Sequence, residues 1–222
     1  MLNTRPRNIM LLTDEQLNFT EIFAIDNLKV ARQAFQMSQF FQQAVVVKGK
    51  DDIEFDVGKA VEMVKQNPKY ALIEYKDQTL TQKNEAVEAM VEQVLGLLNA
   101  VMDIALGKTQ QEQLRESITN VFPNLAPQER DAWIFWSKEE AHKVAYQYNI
   151  LFAVQNVDTG YFLYGVPMGM TIKADVSKEQ VLFIKLKDKV SYSVRVQTLK
   201  VVEFLETEVQ RRAMAMLCGK SF

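Results

Sequence analysis

The sequence predicts an α/β fold: helices come first, followed by a mostly antiparallel β-sheet of long strands. Two patterns along the chain lead to this prediction. Apolar residues recur every three or four positions through much of the first 125 residues, as in amphipathic helices. Beyond residue 131 they alternate with a period of two, as in strands, and short connections favour antiparallel pairing. A chain of 222 residues is long enough for one sizeable core, so we expect a single domain over 1–222.

The helix-rich part of the chain is predicted to extend over 20–125. Its longest helix, 80–106, begins at a capping-box sequence, Thr79–Gln82, and ends before Gly107. This helix is apolar around most of its circumference, so we expect it to lie on a large apolar surface. The other elements predicted here are helices at 27–46, 58–66 and 110–121 and short strands at 53–55 and 70–75.

Long strands are predicted between residues 131 and 202, at about 144–155, 162–173, 181–187 and 190–202. The first two exceed the usual strand length of roughly 5–6 residues. A strand that spans a membrane needs about 9–11 residues, with apolar and polar side chains alternating. A sheet in a soluble protein with one face beneath helices shows the same alternation. Periodicity alone therefore leaves both interpretations open.

The composition argues against several classes of function. A formal net charge of −2 is not the basic footprint of a nucleic-acid-binding protein. With one cysteine, Cys218, and one histidine, His142, the sequence predicts no internal disulfide, no metal centre and no cofactor. The apolar run after Ile9 is too short for a signal peptide, and no stretch approaches 18 charge-free apolar residues. We expect a chain that is made soluble and that rearranges if it acts on membranes.

Several blocks of the sequence, in a fixed order, carry a family resemblance. The run DAWIFWSKEEAHKVAYQYNILFAVQN at 131–156 resembles the best-preserved block of the Cyt cytolytic δ-endotoxins, which are insecticidal bacterial toxins. Further blocks agree in order and spacing: AIDN at 24–27, YKDQTLTQ at 75–82, VPMG at 166–169, KEQVLF at 178–183 and SYSVRVQTLK at 191–200. The resemblance covers roughly residues 8–202.

This resemblance implies a sheet wrapped by two layers of helical hairpins, and a toxin rather than an enzyme. Members of the family bind membrane phospholipid directly and permeabilise membranes as homo-oligomers, by strand insertion or by a detergent-like assembly. The resemblance implies no nucleic-acid partner and no small-molecule substrate. It implies a protein that is soluble in the producing bacterium, released without a recognisable signal peptide, and active at the target-cell membrane.

Two other functions remain as alternatives. One is a non-lytic lipid- or partner-binding module with the same fold. The other is a hydrolase that uses Cys218 and His142, which only the presence of these two residue types supports. We expect instead that His142 lies in a surface loop and that Cys218 is a packed thiol.

Two sets of candidate site residues follow from the strand pattern and the resemblance. The residues expected to face lipid after strand insertion are Tyr146, Tyr148, Ile150, Phe152, Val154, Phe162, Tyr164, Met168 and Met170. The charged residues expected to contact headgroups or to lock the closed form are Lys138, Glu139, Glu179, Asp188 and Lys200. Trp133 and Trp136 are expected in the core, and residues 203–222 are expected to form an amphipathic helix or a pro-segment.

Overall fold

The computed structural model describes residues 19–25, 28–48, 52–103, 106–131, 133–155 and 161–205. The strands are β1 (Thr20–Ala24), β2 (Val45–Lys48), β3 (Asp52–Phe55), β4 (Tyr70–Ala86), β5 (Ile134–Glu140), β6 (Lys143–Gln155), β7 (Phe162–Ala174) and β8 (Lys189–Phe204). The helices are α1 (Leu28–Gln42), α2 (Val57–Gln66), α3 (Val87–Met102), α4 (Lys108–Thr119) and α5 (Lys178–Phe183), with a short 3-10 turn at Ala126–Gln128.

Six strands form one sheet in the order β1-β6-β7-β8-β4, and β5 pairs with the opening residues of β6. All neighbours are antiparallel except β1, which runs parallel to β6 and pairs Thr20 with Ile150. Strands β2 and β3 form a separate antiparallel hairpin. The predicted sheet of long, mostly antiparallel strands is confirmed, and β1 makes it a mixed sheet.

The two faces of the sheet are buried beneath different helices. Because side chains alternate along a strand, the even-numbered residues of β6 and β7 and those of β8 up to Val196 share one face. This apolar face packs against α3, α4 and α5. The opposite face packs in part against α1, α2 and the β2–β3 hairpin. Helices thus cover both faces of one sheet, and the predicted single-domain fold with helical layers is confirmed.

Two glycines of β7 allow the second layer to approach the sheet closely. A Cβ on Gly165 would lie 1.9 Å from the Met37 sulfur of α1. A Cβ on Gly169 would lie 2.3 Å from the Cβ of Phe55 in β3 and 2.7 Å from Nε2 of Gln147. These separations are well below van der Waals contact: a Cβ at Gly165 requires the flexible Met37 side chain to move, whereas at Gly169 it would overlap the Cβ of Phe55.

The prediction of a helix from residue 80 was wrong at its start. Residues 80–86 belong to β4, where Leu80 pairs with Val194 and Ala86 with Lys189 of β8. The helix begins at Val87, whose amide donates to the carbonyl of Asp188. Local periodicity favoured a helix here, but pairing with a distant strand provides the backbone partners.

Three further differences concern local elements. The predicted strand at 181–187 was wrong, because Ser177 caps α5 through a capping box with Gln180 and a turn follows the helix. The predicted helix at 27–46 ends at Gln42, and the β-branched run from Val45 pairs with β3 instead. Strands β1 and β5 were not predicted as separate elements. Helices α2 and α4 lie within a residue or two of their predicted positions.

The close packing of β3 on β7 predicts opposite effects for two Gly→Ala substitutions. Gly169→Ala should lower the free energy of unfolding by about 2 kcal/mol, because its Cβ would overlap the side chain of Phe55. Gly96→Ala, in the middle of α3 with no atom within 4 Å of the new Cβ, should raise it by up to about 1 kcal/mol. Urea denaturation of both variants measures the difference. Equal unfolding midpoints would contradict the described packing at Gly169.

Candidate functional site

The candidate site is the apolar face of the sheet and the helices that bury it. Seven of the nine residues predicted to face lipid lie on this face and are almost completely buried: Tyr146, Tyr148, Ile150, Phe152, Val154, Met168 and Met170. The other two, Phe162 and Tyr164, are half-buried at the start of β7, where Phe162 also contacts Phe204 of β8. In the described conformation, then, seven of the nine predicted lipid-facing residues form protein core.

Helices α3 and α4 supply most of the apolar cover over this face. The buried side chains of α3 lie along one side of the helix: Val87, Met90, Val91, Val94, Leu95, Leu98, Val101 and Met102. Leu114 and Ile118 continue the cover from α4, and Phe122 stacks edge-on against Tyr192 at 5.5 Å. A groove of about 790 Å³ is lined by residues of α3 and α4. The ion pair between Glu92 and Arg115 spans this groove.

Buried tyrosines anchor the segment after α4 to the sheet through specific hydrogen bonds. The Tyr146 hydroxyl donates to the carbonyl of Val121 at 2.9 Å, and the Tyr148 hydroxyl donates to Oε1 of Gln128 at 2.6 Å. Burial raises the pKa of Tyr146 well above its usual value, so the hydroxyl stays a donor. An apolar face alone would permit sliding, whereas these bonds fix the position of the cover.

Lys178 holds three elements together at the start of α5. Its Nζ lies 2.8 Å from a carboxylate oxygen of Glu139 in β5 and 3.3 Å from one of Glu129, which follows the 3-10 turn. The same ammonium lies 4.7 Å from the ring centre of Trp136, whose indole nitrogen donates to the Glu129 carbonyl at 3.2 Å. The Lys178 side chain is only one-fifth exposed, but Glu129 and Glu139 are 38% and 50% exposed, so solvent screens both pairs in part.

The five predicted charged residues do not form one cluster. Lys138 pairs with the neighbouring Glu140 at 2.8 Å, and both side chains are largely exposed. Glu139 joins Lys178 as described above. Asp188 accepts a hydrogen bond from the amide of Lys185 in the turn before β8. The remaining two, Glu179 and Lys200, also lie apart from one another.

Glu179 and Lys200 lie in different environments. Glu179 is exposed in the first turn of α5, where its own backbone amide and the Ser177 hydroxyl lower the pKa of its carboxyl. Lys200 is buried in β8 with its Nζ 5.6 Å from the ring centre of Tyr164. The sequence analysis did not identify Lys178, the residue that pairs with both Glu129 and Glu139. The Ser177–Gln180 capping-box spacing would have placed it at the start of a helix.

The opposite face of the sheet is polar over the half nearest the β5–β6 turn. Arg195 donates to both carboxylate oxygens of Asp77, at 2.8 and 2.6 Å, and to Glu54 of β3 at 3.3 Å. These hydrogen bonds lower the pKa of Asp77. Nearby, Thr171 donates to the buried Gln147 at 2.7 Å. The β2–β3 hairpin is therefore held on the sheet by charge as well as by apolar contact.

A buried carboxylate links α1 to the end of β8. Glu203 accepts a hydrogen bond from Gln33 of α1 at 2.8 Å and lies 3.2 Å from Nζ of Lys69, while its second oxygen has no hydrogen-bond partner. Burial raises the pKa of Glu203, against the opposing effects of Lys69 and Gln33. The charged form is therefore disfavoured in the fold relative to the unfolded chain.

Trp133 and Trp136 pack against the core beneath the apolar face, as predicted, and His142 is exposed in the β5–β6 turn. Cys218 and most of the predicted C-terminal segment, 206–222, lie outside the described residues. Across the described ranges, no group of three or more metal-ligating side chains is present. In the same part of the chain, every helix is too short or too polar to cross a bilayer.

The family model for Bacillus thuringiensis toxin matches residues 2–218 of the chain. The chain belongs to the cytolytic delta-endotoxins of this family. It is 40% identical over 197 residues to the Type-1Aa cytolytic delta-endotoxin of Bacillus thuringiensis subsp. morrisoni, covering 87% of this chain and 79% of that protein. Identity to the Type-2Ba toxin of subsp. israelensis is 31% over 191 residues, with 86% and 71% covered. This delta-endotoxin is thus similar to members of both named types.

Solved structures agree with the fold of this delta-endotoxin. The activated Cyt2Ba monomer from subsp. israelensis superimposes with a TM-score of 0.79 at 31% identity, covering 86% of this chain and all of that one. A second solved delta-endotoxin gives the same TM-score at 30% identity, with 85% and 82% covered. The predicted family and fold are both confirmed, and the family is one of toxins rather than enzymes.

The buried carboxylate predicts a pH-dependent stability for this delta-endotoxin. A carboxyl whose folded pKa is raised stabilises the fold at low pH and loses that contribution as pH rises through the folded pKa. Glu203→Gln should therefore stabilise the protein more at pH 8 than at pH 4, as measured by urea unfolding. Parallel profiles for wild type and Glu203→Gln would contradict the assignment.

Proposed function

We propose that this delta-endotoxin is a membrane-permeabilising cytolytic toxin that binds phospholipid directly and assembles as a homo-oligomer on the target membrane. Helices α3 and α4 would separate from the apolar face, and the long strands would then insert. The relatives named above are cytolytic toxins, and the membership of this chain in their family supports the coarse activity. The strand mechanism needs separate support from this structure.

The observation that carries the proposal is one continuous apolar face across three neighbouring long strands. Strands β6 and β7 have 13 residues each and β8 has 16. A strand rises about 3.3 Å per residue, so 13 residues extend about 43 Å, more than the roughly 30 Å thickness of the hydrocarbon core. The strands are therefore long enough to cross a bilayer even when tilted.

The opposite face supports the same mechanism through its polarity. Its polar half lies across four strands, where the side chains are Gln147, Asn149, Thr171, Lys173, Ser193, Arg195, Gln197, Asp77 and Thr79. Over this half the sheet is apolar on one side and polar on the other, which is the pattern of a strand with lipid outside and water inside. Backbone groups between neighbouring strands would remain paired, and closure of the sheet edges in the oligomer would satisfy the rest.

The contacts of the cover indicate what opening requires. The hydrogen bonds from Tyr146 and Tyr148 and the ion pairs of Lys178 with Glu129 and Glu139 must break before the apolar face is exposed. Among the predicted charged residues, Glu139 has the contacts of a lock. Lys138, Glu179 and Asp188 are exposed, and we propose them as headgroup contacts; Lys200 would be released from Tyr164 during insertion.

Dye release from phosphatidylcholine vesicles separates lysis from the alternative of a non-lytic binding module. We expect calcein release together with sedimentation of the protein with the vesicles, with or without prior limited proteolysis. Binding without release under both conditions would favour the binding module. Release without stable binding to phospholipid would contradict the direct lipid interaction.

A disulfide that joins α3 to β8 should prevent permeabilisation by strand insertion. Cα atoms of the two elements lie within 8 Å of each other, so the cysteine pair is placed where the Cα separation comes nearest to the upper limit of about 7 Å for a disulfide. In a Cys218→Ser background, the oxidised form should release at most about a tenth of the dye released after reduction, since the cover cannot leave. Calcein release before and after dithiothreitol measures this. Full release by the oxidised protein would refute opening of the α3–α4 cover.

The matched control places the disulfide within the sheet. Thr81 and Ser193 are direct cross-strand partners in β4 and β8, so Thr81→Cys with Ser193→Cys links two strands and leaves α3 free. This variant should release dye in both redox states. Its inhibition by oxidation would show that loss of activity comes from any crosslink rather than from retention of the cover.

A further inference from the structure

A group of exposed lysines follows helix α5. Residues 184–188 connect α5 to β8, which begins at Lys189. This connection and the first residue of β8 contain Lys185, Lys187 and Lys189 and one acid, Asp188. All three lysines are exposed, and over the described ranges none of them lies within ion-pair distance of a carboxylate. Their ammonium groups are therefore available to an anionic partner.

The backbone of the connection is fixed so that its alternate residues face the protein. The carbonyls of Ile184, Leu186 and Asp188 accept hydrogen bonds from the amides of Asn124, Glu88 and Val87, in that order. Ile184 is buried, and Leu186 packs against the core beneath the apolar face. The lysines occupy the intervening positions, so this attachment leaves their side chains in solvent.

Asp188 stabilises the turn that carries the lysines. Its amide donates to the carbonyl of Lys185 at 3.0 Å, and its carboxylate accepts from the amide of Lys185 at 2.8 Å. The one acid of the connection thus bonds to the backbone of the turn. A turn closed by two hydrogen bonds loses little conformational freedom when a partner binds, so the lysines are pre-organised.

Phe183 adds an apolar side chain to the same surface. It is the last residue of α5, directly precedes the connection, and is 68% exposed. Its neighbour Leu182 is half-buried and packs against the core, whereas the Phe183 ring lies largely in water. A large apolar side chain beside several basic ones is typical of surfaces that bind at the bilayer interface, where the ring enters the acyl boundary and the cations contact headgroups.

The charge of the whole chain cannot account for attraction to an anionic bilayer. The formal net charge is −2, and Glu88, whose amide bonds to this turn, is exposed beside it. Basic residues near an anionic surface each strengthen binding by about fivefold, and the effect is confined to a Debye length. A local excess of cations together with apolar contact is therefore required, and the end of α5 provides both.

We propose that Phe183, Lys185, Lys187 and Lys189 form a docking surface for anionic phospholipid, which the closed protein uses before α3 and α4 separate. The ring of Phe183 enters the acyl boundary, and the three ammonium groups contact the phosphates and carboxylates of the headgroups. This inference rests on the proposed lytic function and adds to it a lipid class and an orientation. The end of the sheet that carries the α5–β8 connection meets the bilayer first.

Partition onto two kinds of vesicle tests the lipid class. We expect the protein to sediment with vesicles of phosphatidylcholine and phosphatidylserine, mixed at about three to one, about tenfold more strongly than with phosphatidylcholine alone. Replacing Lys185, Lys187 and Lys189 together by Gln should abolish this preference. The matched control replaces Arg32, Lys59 and Lys108 by Gln; these residues are exposed on three other helices, and the control removes the same total charge. Circular dichroism and thermal melting establish that both variants are folded.

Equal losses in the two triple variants would show that total charge acts rather than this surface, and would overturn the proposal. A lipid-free dimer that the docking-surface variant weakens would assign the surface to a second copy, and would overturn it as well. Equal partition of the wild type onto both vesicle types, together with dye release from phosphatidylcholine, would overturn the docking surface and leave the lytic proposal intact. Anionic preference without dye release would contradict lysis and support docking.

A fluorophore at position 183 tests the orientation. In a Cys218→Ser background, a nitrobenzoxadiazole label on Phe183→Cys should shift its emission to shorter wavelength on the mixed vesicles, because the label enters an apolar region. The same label on Lys59→Cys, exposed on α2, should not shift before lysis begins. A shift at 59 without one at 183 would overturn the orientation.

The α3–β8 disulfide variant tests whether docking precedes opening. Its oxidised form should sediment with the mixed vesicles as strongly as its reduced form, since the docking surface is exposed while the cover is in place. Loss of sedimentation on oxidation would overturn docking by the closed protein. Dye release, measured on the same samples, reports separately on the lytic proposal.

Discussion

The sheet of this delta-endotoxin has an apolar face that cannot remain in contact with water, and its burial by α3 and α4 organises the rest of the molecule. The even-numbered side chains of β6, β7 and β8 form one apolar surface, and α3 has a matching apolar side. Burial of apolar area contributes about 25 cal/mol per Å², so this contact is a major source of stability. The same area would favour lipid if the helices left. In the proposed mechanism, stability in water and affinity for a bilayer depend on this one surface.

Hydrogen bonds and ion pairs fix the position of the elements that bury the apolar face. Tyr146 and Tyr148 donate to Val121 and Gln128 across the interface, and Lys178 connects α5, β5 and the segment after α4. Apolar contact is tolerant of small shifts, whereas buried hydrogen bonds and ion pairs require a particular geometry. The cover is thus attached by a small number of polar contacts around a large apolar area. Such an arrangement can change state as a unit once those contacts break.

The opposite face of the sheet positions α1, α2 and the β2–β3 hairpin, and these elements leave the β4 edge exposed. Gly165 and Gly169 admit α1 and β3 at distances that a methyl group would prevent, and Arg195 ties β3 to β4 and β8 through Glu54 and Asp77. These contacts cover only part of the face. Beyond them, β4 is exposed, with a regular segment between two register irregularities. The polar half of the sheet and its open edge therefore adjoin one another.

The sequence pattern was sufficient where the periodicity and the tertiary contacts agree. Strands β6, β7 and β8 alternate over much of their length, so their faces and approximate bounds were predicted, as were α2 and α4. It was not sufficient at 80–86, where local periodicity extended the following helix but β8 supplies the backbone partners. The short helix α5 was predicted as a strand, although Ser177 and Gln180 have the spacing of a capping box. Short segments are decided by their partners and caps more than by their own pattern.

The sequence by itself determined the α/β class, the two-faced strands, the toxin family and the residues of the apolar face. Alternation is a local property of each strand, and the order of the resembling blocks is read along the chain, so neither requires knowledge of contacts. Only the tertiary structure decided that β1 runs parallel to β6, that Lys178 rather than Lys138 joins Glu139, and that β4 is left as an edge. Each of these depends on which distant segments meet. Which distant segments meet is set by the packing of the whole chain and cannot be predicted from a local sequence pattern.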